Sequence, residues 1–147
     1  MAHPSGYPTY LLLARLALYV PFGEPAARLA LFSALCGALA AGVSAAFVTW
    51  RVASAARPGL AFCAGAYSGL SFALSSRAWS QAIIVEVYAL YMLWMALCVW
   101  LVVAWLSTAG RWLLFSALLC LGLGLGIHLT LLIVAPAACM AWIATPQ

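Results

Sequence analysis

Charge is what this 147-residue sequence has least of. Charged residues make up 5% of it, against roughly 25% in a soluble domain, and mean hydropathy is +1.16. With 69% of residues hydrophobic, a water-soluble globular domain is excluded and an integral membrane protein is indicated. Acids are scarcer than bases: Glu24 and Glu86 are the two carboxylates, against six basic residues, all arginine. The arginines are scattered over separate turns, with no basic run and no basic amphipathic helix, which excludes a nucleic-acid partner. The cysteines (Cys36, Cys63, Cys98, Cys120 and Cys139) form no CxxC and cluster with no histidine at ligand spacing, so no metal site is expected. Each lies in an apolar stretch and reads as a buried free thiol. Ser-His-Asp, HExxH and P-loop patterns are all missing. No cleavable signal peptide is expected either, because MAHPSGYP has no basic n-region and opens on turn residues, like the middle of a loop.

What the chain has is apolar blocks cut by arginine and proline. A span needs about 20 apolar residues at a rise of about 1.5 Å each. Residues 9–20 are shorter, carry Arg15 in the middle and end at Pro21, Gly23 and Pro25, which predicts an interfacial helix. Spans are predicted at 29–50, 59–76, 82–106, 112–127 and 129–143, the third containing Glu86 and the last Pro136. The fold class is therefore all-α: one polytopic transmembrane bundle of about five spans plus a short N-terminal interfacial helix. Small residues at packing spacing, Gly65 with Gly69 and Gly122 with Gly126, predict close helix–helix approach. The string GLGLG follows no strand and is no nucleotide-binding fingerprint.

Alternation of these spans puts the turns at 51–58 and 107–111 on one side, with Arg51, Arg57 and Arg111 flanked by Trp50, Trp105 and Trp112. The other side collects His3, Arg28, Arg77, Glu86 and His128. Arginine counts per side are close, so they do not fix orientation. With the outer turn near Ser80, Glu86 is expected about 9 Å down a helix.

A carboxylate inside a span costs about 2.5–3.5 kcal/mol on insertion scales, so it faces protein or water. Trp79, seven residues earlier, would share the Glu86 face, while Gln81, Tyr88 and Tyr91 line another. Either Glu86 is protonated and bonds a neighbouring helix, or it lines a polar pocket at the outer end. Likewise HPSGYP is a cap for the first helix, or it holds His3 and Tyr7 at the rim of such a pocket, with Pro4 and Gly6 shaping the turn. His128 is a hydrogen-bonded structural residue or part of the same pocket. Arg28 and Arg77 pair with the two glutamates or bind an anionic group, and a planar arginine fork suits a lipid phosphate.

The ordered strings HPSGYPTYLLLARL, EPAARLALFSALCGALA, WSQAIIVEVYALYML and GLGLGIHLTLL cover nearly the whole chain. Together they resemble a family of multi-spanning membrane proteins long filed as a domain of unknown function. Its animal relative is a protein O-mannosyltransferase acting on plexin-type receptors, and the family is placed among GT-C type glycosyltransferases. The resemblance implies inverting transfer of a sugar from a polyprenyl-phosphate carrier to an acceptor protein or glycan. The reaction face would be extracytoplasmic, in a bacterial inner membrane or the endoplasmic reticulum, and the lipid-linked sugar is a substrate, with no cofactor. It carries His3, Pro4, Gly6, Tyr7, Trp79, Gln81, Glu86, Tyr88 and His128 over as candidate donor-binding positions, beside Arg28 and Arg77 from the residues. Ser5 replaces a common proline, and Ile127 a common asparagine.

Family members also carry an acidic motif in the first outer loop, shortly before the HP motif, as the expected base for the acceptor hydroxyl. No carboxylate precedes His3 here. The expectation is a part of a transferase, truncated at both ends and inactive alone, with Glu86 in a supporting role. The rival is a small transporter or channel subunit using Glu86 and His128 as a proton or ion path.

Overall fold

A computed structural model describes residues 7–53 and 55–144, and all regular structure in them is helical. The elements are α1 (Pro8–Ala17), α2 (Pro25–Ala53), α3 (Pro58–Leu74), α4 (Ser76–Ile83), α5 (Val87–Thr108) and α6 (Arg111–Leu125). A 3-10 turn (Leu129–Ile133) then leads into α7 (Val134–Ala144). His3, Pro4 and Gly6 lie outside the described residues.

Two helices, α2 with 29 residues and α5 with 22, are long and apolar enough to cross a membrane. At a rise of about 1.5 Å per residue, α5 is about 33 Å long, which matches a hydrocarbon core of about 30 Å. The remaining apolar helices, among them α3 and α6, are shorter. Large apolar side chains cover the outside of the bundle, including Leu35, Leu39, Phe62, Leu70, Phe115 and Leu119. Such an exterior suits lipid rather than water.

The sharpest departure from the sequence expectation lies in the third block. Residues 77–81, expected as a turn, belong to α4, and 82–106 is not one helix. Ser75 caps α4, its hydroxyl accepting the Ala78 N–H at 3.2 Å. The helix then stops: Ile84 and Glu86 are both extended, and α5 starts afresh at Val87. Ile83, Ile84 and Val85 form a β-branched run, which disfavours helix. Glu86 becomes the residue that precedes α5, with its carboxylate at the positive end of a 22-residue helix. It is therefore not a residue of a helix interior, and Trp79 does not share a helical face with it.

Helix α3 packs along α2 through the predicted glycine seam. A Cβ on Gly65 would collide with the Thr49 hydroxyl and sit 2.6 Å from the Ala45 carbonyl oxygen, and one on Gly69 would lie 2.8 Å from the Ala45 Cβ. The second glycine pair behaves otherwise, since nothing lies within 4 Å of a Cβ at Gly122. There the contacting glycines are Gly124, against Trp94 and Leu131, and Gly126, against Thr9. The thiols divide similarly: Cys36 and Cys98 are buried, whereas Cys63 and Cys139 are exposed on the bundle exterior.

Contacts fix the two ends of the bundle. Near one end, Trp50 at the end of α2 stacks on Trp100 of α5 with centroids 6.2 Å apart, and Phe47 joins them. Arg51 lies over Trp50 and Arg111 over Trp112, each 5.6 Å from the ring centroid. Both pairs are sequence neighbours, in the last turn of α2 and the first turn of α6. At the other end, Cys36 of α2, Ala89 and Leu90 of α5 and Ile127 beyond α6 form one buried cluster, with Tyr10 and Tyr91 against it.

The two glycine pairs give opposite expectations. Gly65→Ala overpacks the α2–α3 seam and lowers stability by about 1–3 kcal/mol. Gly122→Ala fills open space in a helix and raises it by about 0.5–1 kcal/mol. Thermal unfolding of both variants in detergent checks the pair, and equal shifts would contradict the seam.

Candidate functional site

Helix α6 ends where its last carbonyls need donors. Two of them are met from outside the helix: Thr9 donates its backbone N–H to the Gly126 carbonyl at 3.0 Å and its hydroxyl to the Leu123 carbonyl at 2.7 Å. Gly126 is required here, because a Cβ would collide with the Thr9 hydroxyl. The chain then turns: Ile127 and His128 donate to the Gly124 carbonyl at 2.8 and 3.0 Å, Ile127 is fully buried, and His128 is extended. The imidazole leaves the helix axis and turns toward α1 and α5.

Three tyrosines meet it. Tyr7, held over α6 by the Thr9 clamp, stacks on the ring with centroids 6.2 Å apart and planes 11° from parallel. Tyr88 and Tyr91, one turn apart on α5, approach to 5.9 and 5.2 Å. The Nδ1 atom of His128 faces its own chain: the Thr130 N–H donates to it at 3.3 Å, and the Thr130 hydroxyl lies 2.7 Å away. A cavity of about 480 Å³ opens beside the ring, bordered by Tyr7, Thr9, Gly126, His128 and Leu129.

Glu86 stands two residues before Tyr88 and is exposed. No described group donates a hydrogen bond to its carboxylate. Tyr10, on α1, has its phenol held above the ordinary tyrosine range, first by burial and then by the charges of Cys36 and Glu86. The carboxylate and the histidine cluster therefore share one end of the bundle.

Of the residues singled out from the sequence, Tyr7, Tyr88 and His128 come together, with Glu86 beside them. Gln81 does not join: its Oε1 is buried in α4 without a hydrogen-bond partner among the described residues. Trp79 borders a separate groove of about 230 Å³ with Gly37, Ala78 and Ala82, where α4 crosses α2. Arg77 is exposed on α4. Arg28 pairs with no glutamate; its guanidinium donates to the carbonyls of Leu18, Phe22 and Gly23 at 2.7–3.0 Å and ties the α1–α2 connection together. The sequence motifs do not single out Thr9 or Thr130, and they place Tyr91 only beside Tyr88. The two-residue spacing of His128 and Thr130 and the (i, i+3) spacing of Tyr88 and Tyr91 were the available signals.

The whole chain, residues 1–147, matches the family described as the protein O-mannosyl-transferase TMEM260 N-terminal domain. The chain belongs to this family. A mouse relative, protein O-mannosyl-transferase TMEM260, is 38% identical over 98 residues, which cover 66% of this chain and 13% of the mouse protein. No solved structure matches. The family, the apolar exterior and the two long apolar helices together establish an O-mannosyltransferase-like membrane protein. Among the described residues, the tyrosine-walled histidine is where polar groups converge in an otherwise apolar bundle, the usual form of a small-molecule site.

Tyr10 reports on the carboxylate next to this site. Because the charge of Glu86 raises the phenol's pKa, Glu86→Gln should lower it while burial keeps it above the ordinary value. Ultraviolet titration of tyrosine ionisation, with Tyr10→Phe to assign the signal, measures this; an unchanged Tyr10 would separate the two residues.

Proposed function

We propose that this chain forms the donor-handling end of a membrane mannosyltransferase. It binds a polyprenyl-phosphate mannose and presents the sugar to the hydroxyl of an acceptor protein or glycan at the extracytoplasmic face. The observation that carries this reading is His128 walled by Tyr7, Tyr88 and Tyr91 beside an open cavity, in a chain of the O-mannosyltransferase family. Aromatic rings offer flat apolar faces with a polar edge, suited to a sugar ring. The imidazole offers a hydrogen bond to the phosphate, and apolar helices with an exposed exterior suit the polyprenyl chain.

The reaction makes separable demands. The acceptor oxygen bonds to the anomeric carbon from one face while the bond from that carbon to the phosphate oxygen breaks on the other. The electron pair leaves on the polyprenyl phosphate, and a hydrogen-bond donor there stabilises the growing charge. The acceptor's proton must pass to a base within hydrogen-bond reach. Glu24 and Glu86 are the only carboxylates of the 147 residues. In this reading Glu86 orients a hydroxyl near the donor, and the base is supplied from outside these residues, so the chain by itself binds donor without transferring the sugar.

Titration of polyprenyl-phosphate mannose onto the chain in lipid nanodiscs tests this. Binding should be saturable, and His128→Ala should weaken it by roughly tenfold or more, the usual effect of losing a hydrogen bond to a charged group. Absence of binding, or proton flux through the chain in liposomes without donor binding, would overturn the proposal. Mannose transfer by the chain alone would show that the base lies within it. In a longer family member, the glutamine variant at the Glu86 position should slow transfer, and an unchanged rate would remove Glu86 from the scheme.

A further inference from the structure

A histidine can give a hydrogen bond to a leaving phosphate only if its proton sits on the nitrogen that faces the ligand. The ring alone does not decide this, because the two neutral tautomers are close in energy and the neighbours choose between them. In this chain the neighbour is Thr130. Its backbone N–H lies 3.3 Å from Nδ1 of His128 and can only donate, so it requires a lone pair there. The Thr130 hydroxyl, 2.7 Å from the same nitrogen, can rotate to donate as well. The backbone is shaped for the contact: His128 is extended and precedes the 3-10 turn, which aims the next turn's free N–H at its side chain. Tyr7 stacks on the ring, and Tyr88 and Tyr91 approach it at a tilt. The Nε2 atom has no hydrogen-bond partner among the described residues.

We infer that Thr130 is a positioning residue that holds His128 as its Nε2–H tautomer, so that the free edge of the ring is a fixed hydrogen-bond donor for an anionic oxygen. The identity of that oxygen, the phosphate of the lipid-linked sugar, rests on the donor reading above; the tautomer does not. Thr130 touches no reacting atom in this scheme. It acts through His128, as the partner on the second nitrogen of a functional imidazole generally does.

Ring nitrogen spectra of the full chain in detergent, with ¹⁵N-labelled histidine, test the inference. The signal missing from His128→Gln identifies His128. At a pH where the ring is neutral, the wild-type signal should show proton on Nε2 and a bare Nδ1. Thr130→Val removes the hydroxyl and keeps the backbone N–H, so Nε2–H should remain the main form with a minor Nδ1–H form appearing beside it; Thr130→Ser should restore the wild-type pattern. Polyprenyl phosphate, added to the same samples, should bind the valine variant roughly two- to tenfold more weakly than wild type, with the serine variant recovering. A wild-type ring protonated on Nδ1, or a valine variant with unaltered ring signals, overturns the inference. An Nε2–H ring whose signals change with Thr130 but do not respond to polyprenyl phosphate supports the inference and counts against the donor reading instead.

Discussion

The end of a helix inside an apolar bundle leaves carbonyl oxygens that lipid cannot satisfy, and the site depends on how this chain meets that need. At the end of α6 the donors come from Thr9, which uses both its N–H and its hydroxyl on Leu123 and Gly126. That clamp draws α1 against a helix more than a hundred positions away in the sequence. Once α1 is there, Tyr7 lies over His128 and Tyr10 packs against the cluster around Cys36 and Ile127. A short helix with few buried residues of its own becomes a wall of the polar site. Gly126 is part of the same solution, because any side chain there would displace the threonine.

A second constraint acts on the facing wall. A helix running unbroken from α4 into α5 would carry Glu86 in its interior, where a carboxylate is expensive. The chain instead breaks at Ile84–Glu86, lets α4 cross α2 over Gly37, and starts α5 with the carboxylate at its positive end. The break aligns Tyr88 and Tyr91, in the first turns of α5, with the histidine beyond α6. It also moves Trp79 and Gln81 away, onto an element that contacts α2 rather than the cluster. One interruption thus decides which members of a single sequence motif share a site. The proposed donor suits this division of labour, since a lipid-linked sugar would bring both an apolar chain and a charged, hydroxyl-rich head.

The helical class and the glycine seam between α2 and α3 were legible in the sequence. Each rests on local composition or on spacing within one helix, which period and propensity report directly. The GxxxG reading of Gly122 and Gly126 failed for the complementary reason. Spacing shows that two glycines share a face, but not whether anything packs on it, and Gly122 faces open space. Spacing is equally silent on what Arg28 contacts. A guanidinium near a membrane surface suggests a phosphate, yet the loop before α2 exposes carbonyls that satisfy its donors first.

By itself the sequence determined that this chain is a helical membrane protein, which residues bear its few polar groups, and the family to which it belongs. Those follow from how little charge there is and where it falls, quantities that need no third dimension. Only the tertiary structure decided which polar groups meet. Tyr7, Tyr88, Tyr91 and His128 come from three separate segments, and Thr130 matters because its hydroxyl and its backbone N–H both meet one imidazole nitrogen rather than the other. Such contacts depend on helix ends, breaks and crossing points, where the chain leaves the regular period from which sequence patterns are read.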